Sequence, residues 1–181
     1  MATARERLTE WLRDAHAAEE QAHTMLRRTA SQIEGHGEFR AGLERHGERS
    51  RDQAQRLEQC LERLGEGTSL IKTLTGQITA FGQTISGYVV GDEPVKAVLA
   101  TTTFAHMEAA SYRILVAAAE AAGEPGICTI CETLLAEEVE FADWLDHQLP
   151  IVTADYLAQN SRDAAGGTGP AAEHIGSVPI K

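Results

Sequence analysis

Three glutamates and one histidine stand where a helical core would normally carry apolar side chains. A stripe with alternating spacings of four and three runs through Leu8, Leu12, Ala15, Glu19, Ala22, Leu26, Thr29 and Ile33, the pattern of a helix face turned towards a core. A second such stripe passes through Val98, Thr101, Ala105, Glu108, Tyr112, Leu115 and Ala119, and a third through Ile127, Cys131, Leu134, Glu138, Phe141, Leu145 and Leu149. Each carries a glutamate near its middle. The remaining stripe, Phe39, Leu43, His46, Ser50, Gln53, Leu57 and Leu64, is polar at its centre and offers His46 as a ligand. A carboxylate taken alone into a core costs several kcal/mol, so each must be neutralised, paired with a cation or bound to a metal.

Four long helical segments would position these groups. The first covers about 4–33 and is closed by Gly35-His-Gly37; the second covers about 38–64 and ends at Gly65-Glu-Gly67. Asp92-Glu-Pro94 starts the third, which runs to Ala122, and Pro125-Gly126 opens the fourth, which runs to about Leu157 with a kink or break expected at Pro150. Short connections after the first and third segments predict two antiparallel hairpins. The long stretch 68–91 between them predicts a crossover containing short helical pieces, and the whole predicts an all-α, ferritin-like four-helix bundle over residues 1–158. Residues 159–181 are expected to form a flexible tail. Counted from each turn, Glu19 and Glu108 are equivalent. Arg49 takes the position in the first hairpin that Glu138 takes in the second, each about 4.5 Å from its partner in height.

The chain has 181 residues, with 16 Lys and Arg against 27 Asp and Glu for a formal charge of −11. That balance argues against nucleic acid or an anionic membrane as a partner. With 43% hydrophobic residues it can bury a core, and only 5% aromatics suits closely packed helices better than sheets. The arginines near the N-terminus are not followed by an apolar run, so a cytoplasmic location is expected. The uncharged stretch 73–91 is too polar to span a bilayer. Three cysteines are too few for a disulfide scaffold, and Cys128-x-x-Cys131 reads as two small apolar residues on one helix face. Trp11 and Trp144 are expected at a rim or interface, His16 on a solvated edge, and His106 in packing or beside a ligand. His23, His36, His147 and His174 show no ligand spacing. No arrangement of hydrolase type and no phosphate-cradling glycine loop appears.

From about Leu8 to Leu157 the sequence resembles the bacterial YciE/YciF family of ferritin-like proteins, related to rubrerythrin and ferritin. Ala18-Glu19-Glu20-Gln21 is similar to its A-E-x-Q, and His46-Gly-Glu-Arg49-Ser50-Arg-Asp-Gln53 to its H-x-x-E-T-x-x-Q. Ala105-His106-Met107-Glu108 with Tyr112 is similar to E-H-x-E-x-x-x-Y, and Leu135-Ala-Glu137-Glu138 to L-x-E-E. The resemblance implies a homodimeric bundle with a carboxylate-rich di-metal centre and a link to stress response. Two of the implied ligands are missing, since Arg49 and Ala105 stand where the family has glutamates, which shifts the local charge balance by about three units and disfavours a full di-iron centre. Three outcomes are therefore set out. In the first, Arg49 replaces the metal and pairs with Glu19, Glu108 and Glu138 in a non-catalytic bundle that holds no metal. In the second, Glu19, His46, Glu108 and Glu138 hold one iron or manganese ion at partial occupancy. In the third, the chain is an active oxidase consuming oxygen or peroxide. An interaction module, dimeric through 73–91 or acting through the tail, is the alternative of another class.

Overall fold

The computed structural model describes residues 2–66 and 94–166. Its four helices are α1 (Ala4–Gln32), α2 (Gly37–Arg63), α3 (Pro94–Ala122) and α4 (Pro125–Gly166). No strand occurs among the described residues.

Helix starts and stops follow local chemistry. Thr3 caps α1, its side chain accepting from the Glu6 amide while Glu6 accepts from the Thr3 amide at 2.7 Å. α3 stops where Gly123 adopts φ 70°, a left-handed conformation that costs other residues energy, and the Glu124 amide closes back on the Ala119 carbonyl at 2.9 Å. Pro125 then begins α4, at the one helical position where a missing N–H costs nothing.

α1 packs most extensively on α2, and α3 on α4; the two hairpins meet chiefly through α1 and α3 and less through α2 and α4. Two apolar clusters fill the interior. One gathers Leu8 and Leu12, Leu57 and Leu61, Leu115 and Ala119, and Ile127 and Leu134. The other gathers Leu26 and Ala30, Phe39 and Leu43, Val98 and Phe104, and Phe141 and Leu145. The first therefore holds the start of α1 with the end of α2, and the end of α3 with the start of α4. All neighbouring helices are antiparallel, and α2 ends at the opposite end of the bundle from where α3 begins. The approach of α2 to α4 is tight at Gly42, where an added Cβ would overlap the Trp144 ring.

Two boundary expectations are corrected. α4 runs unbroken through Pro150. That residue is exposed, so water can satisfy the carbonyl that its missing N–H leaves free. α4 also continues past Leu157 to Gly166 instead of giving way to a tail at 159, and the Ser161 hydroxyl donates to the Leu157 carbonyl at 2.8 Å. Extending a formed helix needs no new nucleus, and neither Pro nor Gly interrupts this stretch before Gly166. The crossover expected at 68–91, its part in dimer packing, and the tail beyond 166 fall outside the described residues. None of the described helices is long and apolar enough to cross a membrane.

Candidate metal centre

A polar layer separates the two apolar clusters, and each helix contributes to it at one height. On α1 Glu19 lies between Leu12 and Ala22; on α2 His46, Ser50 and Gln53 lie between Leu43 and Leu57. On α3 Glu108 lies between Ala105 and Tyr112, and on α4 Glu138 between Leu134 and Phe141. All four expected ligands are buried, Glu19 at 1% exposure, His46 at 3%, Glu108 at 3% and Glu138 at 0%. Ligand atoms of His46, Glu108 and Glu138 come within 4.8 Å of one another.

Three of the four groups are oriented by a neighbour. The His46 ring stacks on Phe141 with centroids 3.4 Å apart, and Phe141 and Phe39 both stack on Trp144, so an aromatic column on the α2–α4 side sets the imidazole plane. Its Nε2 lies 3.3 Å from Glu138 Oε2. Gln53 donates to Glu138 Oε1 at 2.8 Å and to Glu137 Oε2 at 3.0 Å, and Arg56 ties Glu137 from outside at 2.8 Å. The Tyr112 hydroxyl donates to Glu19 Oε1 at 2.6 Å. Glu108 has no such support, and neither of its oxygens has a hydrogen-bond partner.

Burial pushes the Glu19 carboxyl well above the usual range, and the neighbouring Glu138 charge adds to it. The Tyr112 bond, and to a smaller degree the Ser50 hydroxyl, which lies near without forming a hydrogen bond, pull the other way. Glu108 is likewise raised, by burial first and then by the charges of Glu19 and Glu138. Burial beside Glu19 also lifts the Tyr112 phenol, which stays protonated as a donor.

Arg49 does not fill the layer, contrary to the first of the three outcomes set out above. Its guanidinium pairs with Glu140 at 3.1 Å on the outer edge of the α2–α4 seam, with side-chain exposures of 41% and 73%. Height along the hairpin places Arg49 level with Glu138, but about 100° of rotation per residue separates it from Ser50, which takes the inward position. Arg56, a heptad further on, lies on the same edge. Ala105 does face inward, as part of the apolar cluster beside Glu108.

The other singled-out residues sort clearly. His106 is exposed and lies 3.2 Å from Asp146. His16 is buried rather than solvated, its Nδ1 unpartnered, because it follows Leu12 by four residues and so belongs to the inward side of α1. Gln53, not expected as a site residue, bridges Glu137 and Glu138; its place seven residues after His46 in the stripe was the available signal. Cys60 and Cys131 belong to the Leu8–Leu61 cluster, away from the layer, and burial holds their thiols at about 11 and about 12. They are inert rather than ligating.

A cavity of about 580 Å³ approaches the layer between α1 and α3. Glu19, Glu108 and Tyr112 line it, whereas His46 and Glu138 do not, and Trp11 and Ile114 stand at its rim.

Comparison with known proteins matches residues 3–158 to the family described as "Domain of unknown function (DUF892)". The chain is 34% identical to a protein of Xanthomonas campestris pv. campestris of known crystal structure, covering 87% of this chain and 98% of that one with a TM-score of 0.73. It also shares its fold with YcfI from Rhodopseudomonas palustris, described as a candidate structural protein. That match has 24% identity and a TM-score of 0.65, covering 81% of this chain and 94% of that one.

Proposed function

Since the chain belongs to the DUF892 family, we propose that it is a ferritin-like bundle of the YciE/YciF kind whose centre holds a single divalent iron or manganese ion. His46, Glu108 and Glu138 would hold the ion, with Glu19 beside them as the fourth group. The observation that carries this reading is a set of buried polar atoms without hydrogen bonds: both oxygens of Glu108, Oε2 of Glu19, and the facing pair of Glu138 Oε2 and His46 Nε2, 3.3 Å apart. Atoms of this kind are costly to bury unsatisfied, and one cation held by His46, Glu108 and Glu138 would satisfy an atom of each. Imidazole and carboxylate without thiolate is a donor set suited to iron or manganese. Arg49 is turned to Glu140 and Arg56 to Glu137, so neither of these arginines supplies the positive charge instead.

The ion would supply positive charge in place of the protons on Glu19 and Glu108 and, as iron, one-electron chemistry. The protein's own groups do the positioning. Phe141 holds the imidazole plane, Gln53 fixes one oxygen of Glu138 so that the other stays available, and Tyr112 does the same for Glu19. Two missing carboxylates, at Arg49 and Ala105, favour one ion over two. The stress-associated role and the homodimer implied by the family resemblance belong to the same proposal.

Chelator-treated full-length protein should take up about one equivalent of Mn(II), or of Fe(II) under anaerobic conditions, by metal analysis. Glu138→Ala should weaken uptake by about 100-fold or more, since it removes a ligand and the partner of His46 and Gln53. Uptake below about a tenth of an equivalent would overturn the proposal. That outcome would favour a metal-free interaction module, to which the protonated Glu19 and Glu108 already point as a layer able to stay neutral without an ion.

A further inference from the structure

The cavity between α1 and α3 has the size of a small-molecule site and the composition of one. Its walls are largely apolar and partly aromatic, with Trp11, Phe104, Met107 and Leu115 among them. Its charged lining residues among those described are Asp14, Glu19 and Glu108, all acidic, and no described Lys or Arg lines it. Of the residues that line it, Glu19 has one oxygen, Oε2, and Glu108 both oxygens buried without hydrogen-bond partners. Glu19 and Glu108 are 1% and 3% exposed, so these are unsatisfied acceptors within a cavity wall rather than solvated surface acids.

We propose that this cavity binds a small amphipathic organic cation, an alkyl- or arylalkylammonium, with its apolar body between Trp11 and Leu115 and its ammonium against Glu19 and Glu108. An ammonium presents three donors and one positive charge to oxygens that lack both. The aromatic walls accommodate cationic character, and an anionic head would meet acidic side chains with no Lys or Arg among the described lining residues. The cavity reaches the layer from the α1–α3 side, opposite His46 and Glu138. The proposal therefore stands without the metal reading, although the two share Glu19 and Glu108.

The test uses chelator-treated full-length protein and three probes of equal chain length, hexylammonium, hexan-1-ol and hexanoate, in calorimetric titrations. Hexylammonium should bind roughly tenfold or more tightly than hexan-1-ol, with hexanoate weakest. Ile114→Trp, at a rim position that is 53% exposed, should fill the mouth and abolish binding while leaving melting temperature and Mn(II) uptake unchanged. Glu19→Gln should reduce hexylammonium to the affinity of the alcohol. Hexanoate binding as tightly as hexylammonium, or hexylammonium binding unaffected by Ile114→Trp, would overturn the proposal. Loss of Mn(II) uptake with hexylammonium binding intact would remove the metal reading alone.

Discussion

The α1–α2 and α3–α4 hairpins are alike in build and unlike in the charge they bring to the middle of the bundle. Their first helices are both 29 residues long, and each sends one buried glutamate inward, Glu19 and Glu108. Their second helices diverge. α4 adds another buried carboxylate, Glu138, while α2 presents His46, Ser50 and Gln53 and keeps Arg49 and Arg56 on its edge. Those arginines pair with Glu140 and Glu137, so α2 compensates α4 from outside and furnishes only neutral donors and an imidazole inside. Of the two second helices, α4 supplies a further carboxylate and α2 supplies the Gln53 amide that orients it.

This asymmetry can be tested from its strongest member downward. Glu19 and Glu108 keep their protons in the folded state at pH values where unfolded carboxyls, at about 4.3, have lost them. The folded state then binds more protons, so the metal-free protein should lose stability as pH rises from that range towards their raised values. Glu108→Gln removes one contribution. It should stabilise metal-free protein at pH 8 by about 1–3 kcal/mol and flatten the dependence between pH 5 and 8, as read from urea melts. Unchanged steepness would mean that Glu108 is ionised and paired.

A smaller effect is expected for Tyr112→Phe, which keeps the buried ring and deletes the bond to Glu19. The loss should be about 1–2 kcal/mol at neutral pH, with Mn(II) affinity reduced severalfold. Least of all, Arg49→Ala should change stability by less than about 0.5 kcal/mol and leave metal uptake untouched, because its pair with Glu140 is solvated. A large loss of stability in that variant would return Arg49 to the layer.

The heptad stripes made the inward glutamates and His46 legible, because a core-facing position is a matter of angle around a helix and periodicity measures angle directly. The hairpin register was legible from the glycine and proline punctuation. Arg49 was misplaced when axial height was used without that angle: level with Glu138, it lies on the edge of α2 rather than on its inner face. His16 and Gln53 show a second limit. Both lie on inward positions, but the groups Gln53 bonds, Glu137 and Glu138, belong to α4, and a single stripe says nothing about what stands opposite. The course of α4 through Pro150 and beyond Leu157 depended on exposure and on helix propagation, which local breaker signals do not weigh.

The chain's two tryptophans occupy different neighbourhoods. Trp144 closes the aromatic column that ends on His46, and Trp11 stands at the rim of the α1–α3 cavity. The protein therefore carries two native fluorophores, one next to each proposed binding event. Replacing either by phenylalanine would leave an optical signal belonging to the other, so occupancy of the layer and occupancy of the cavity can be followed separately by intrinsic emission in the same solution.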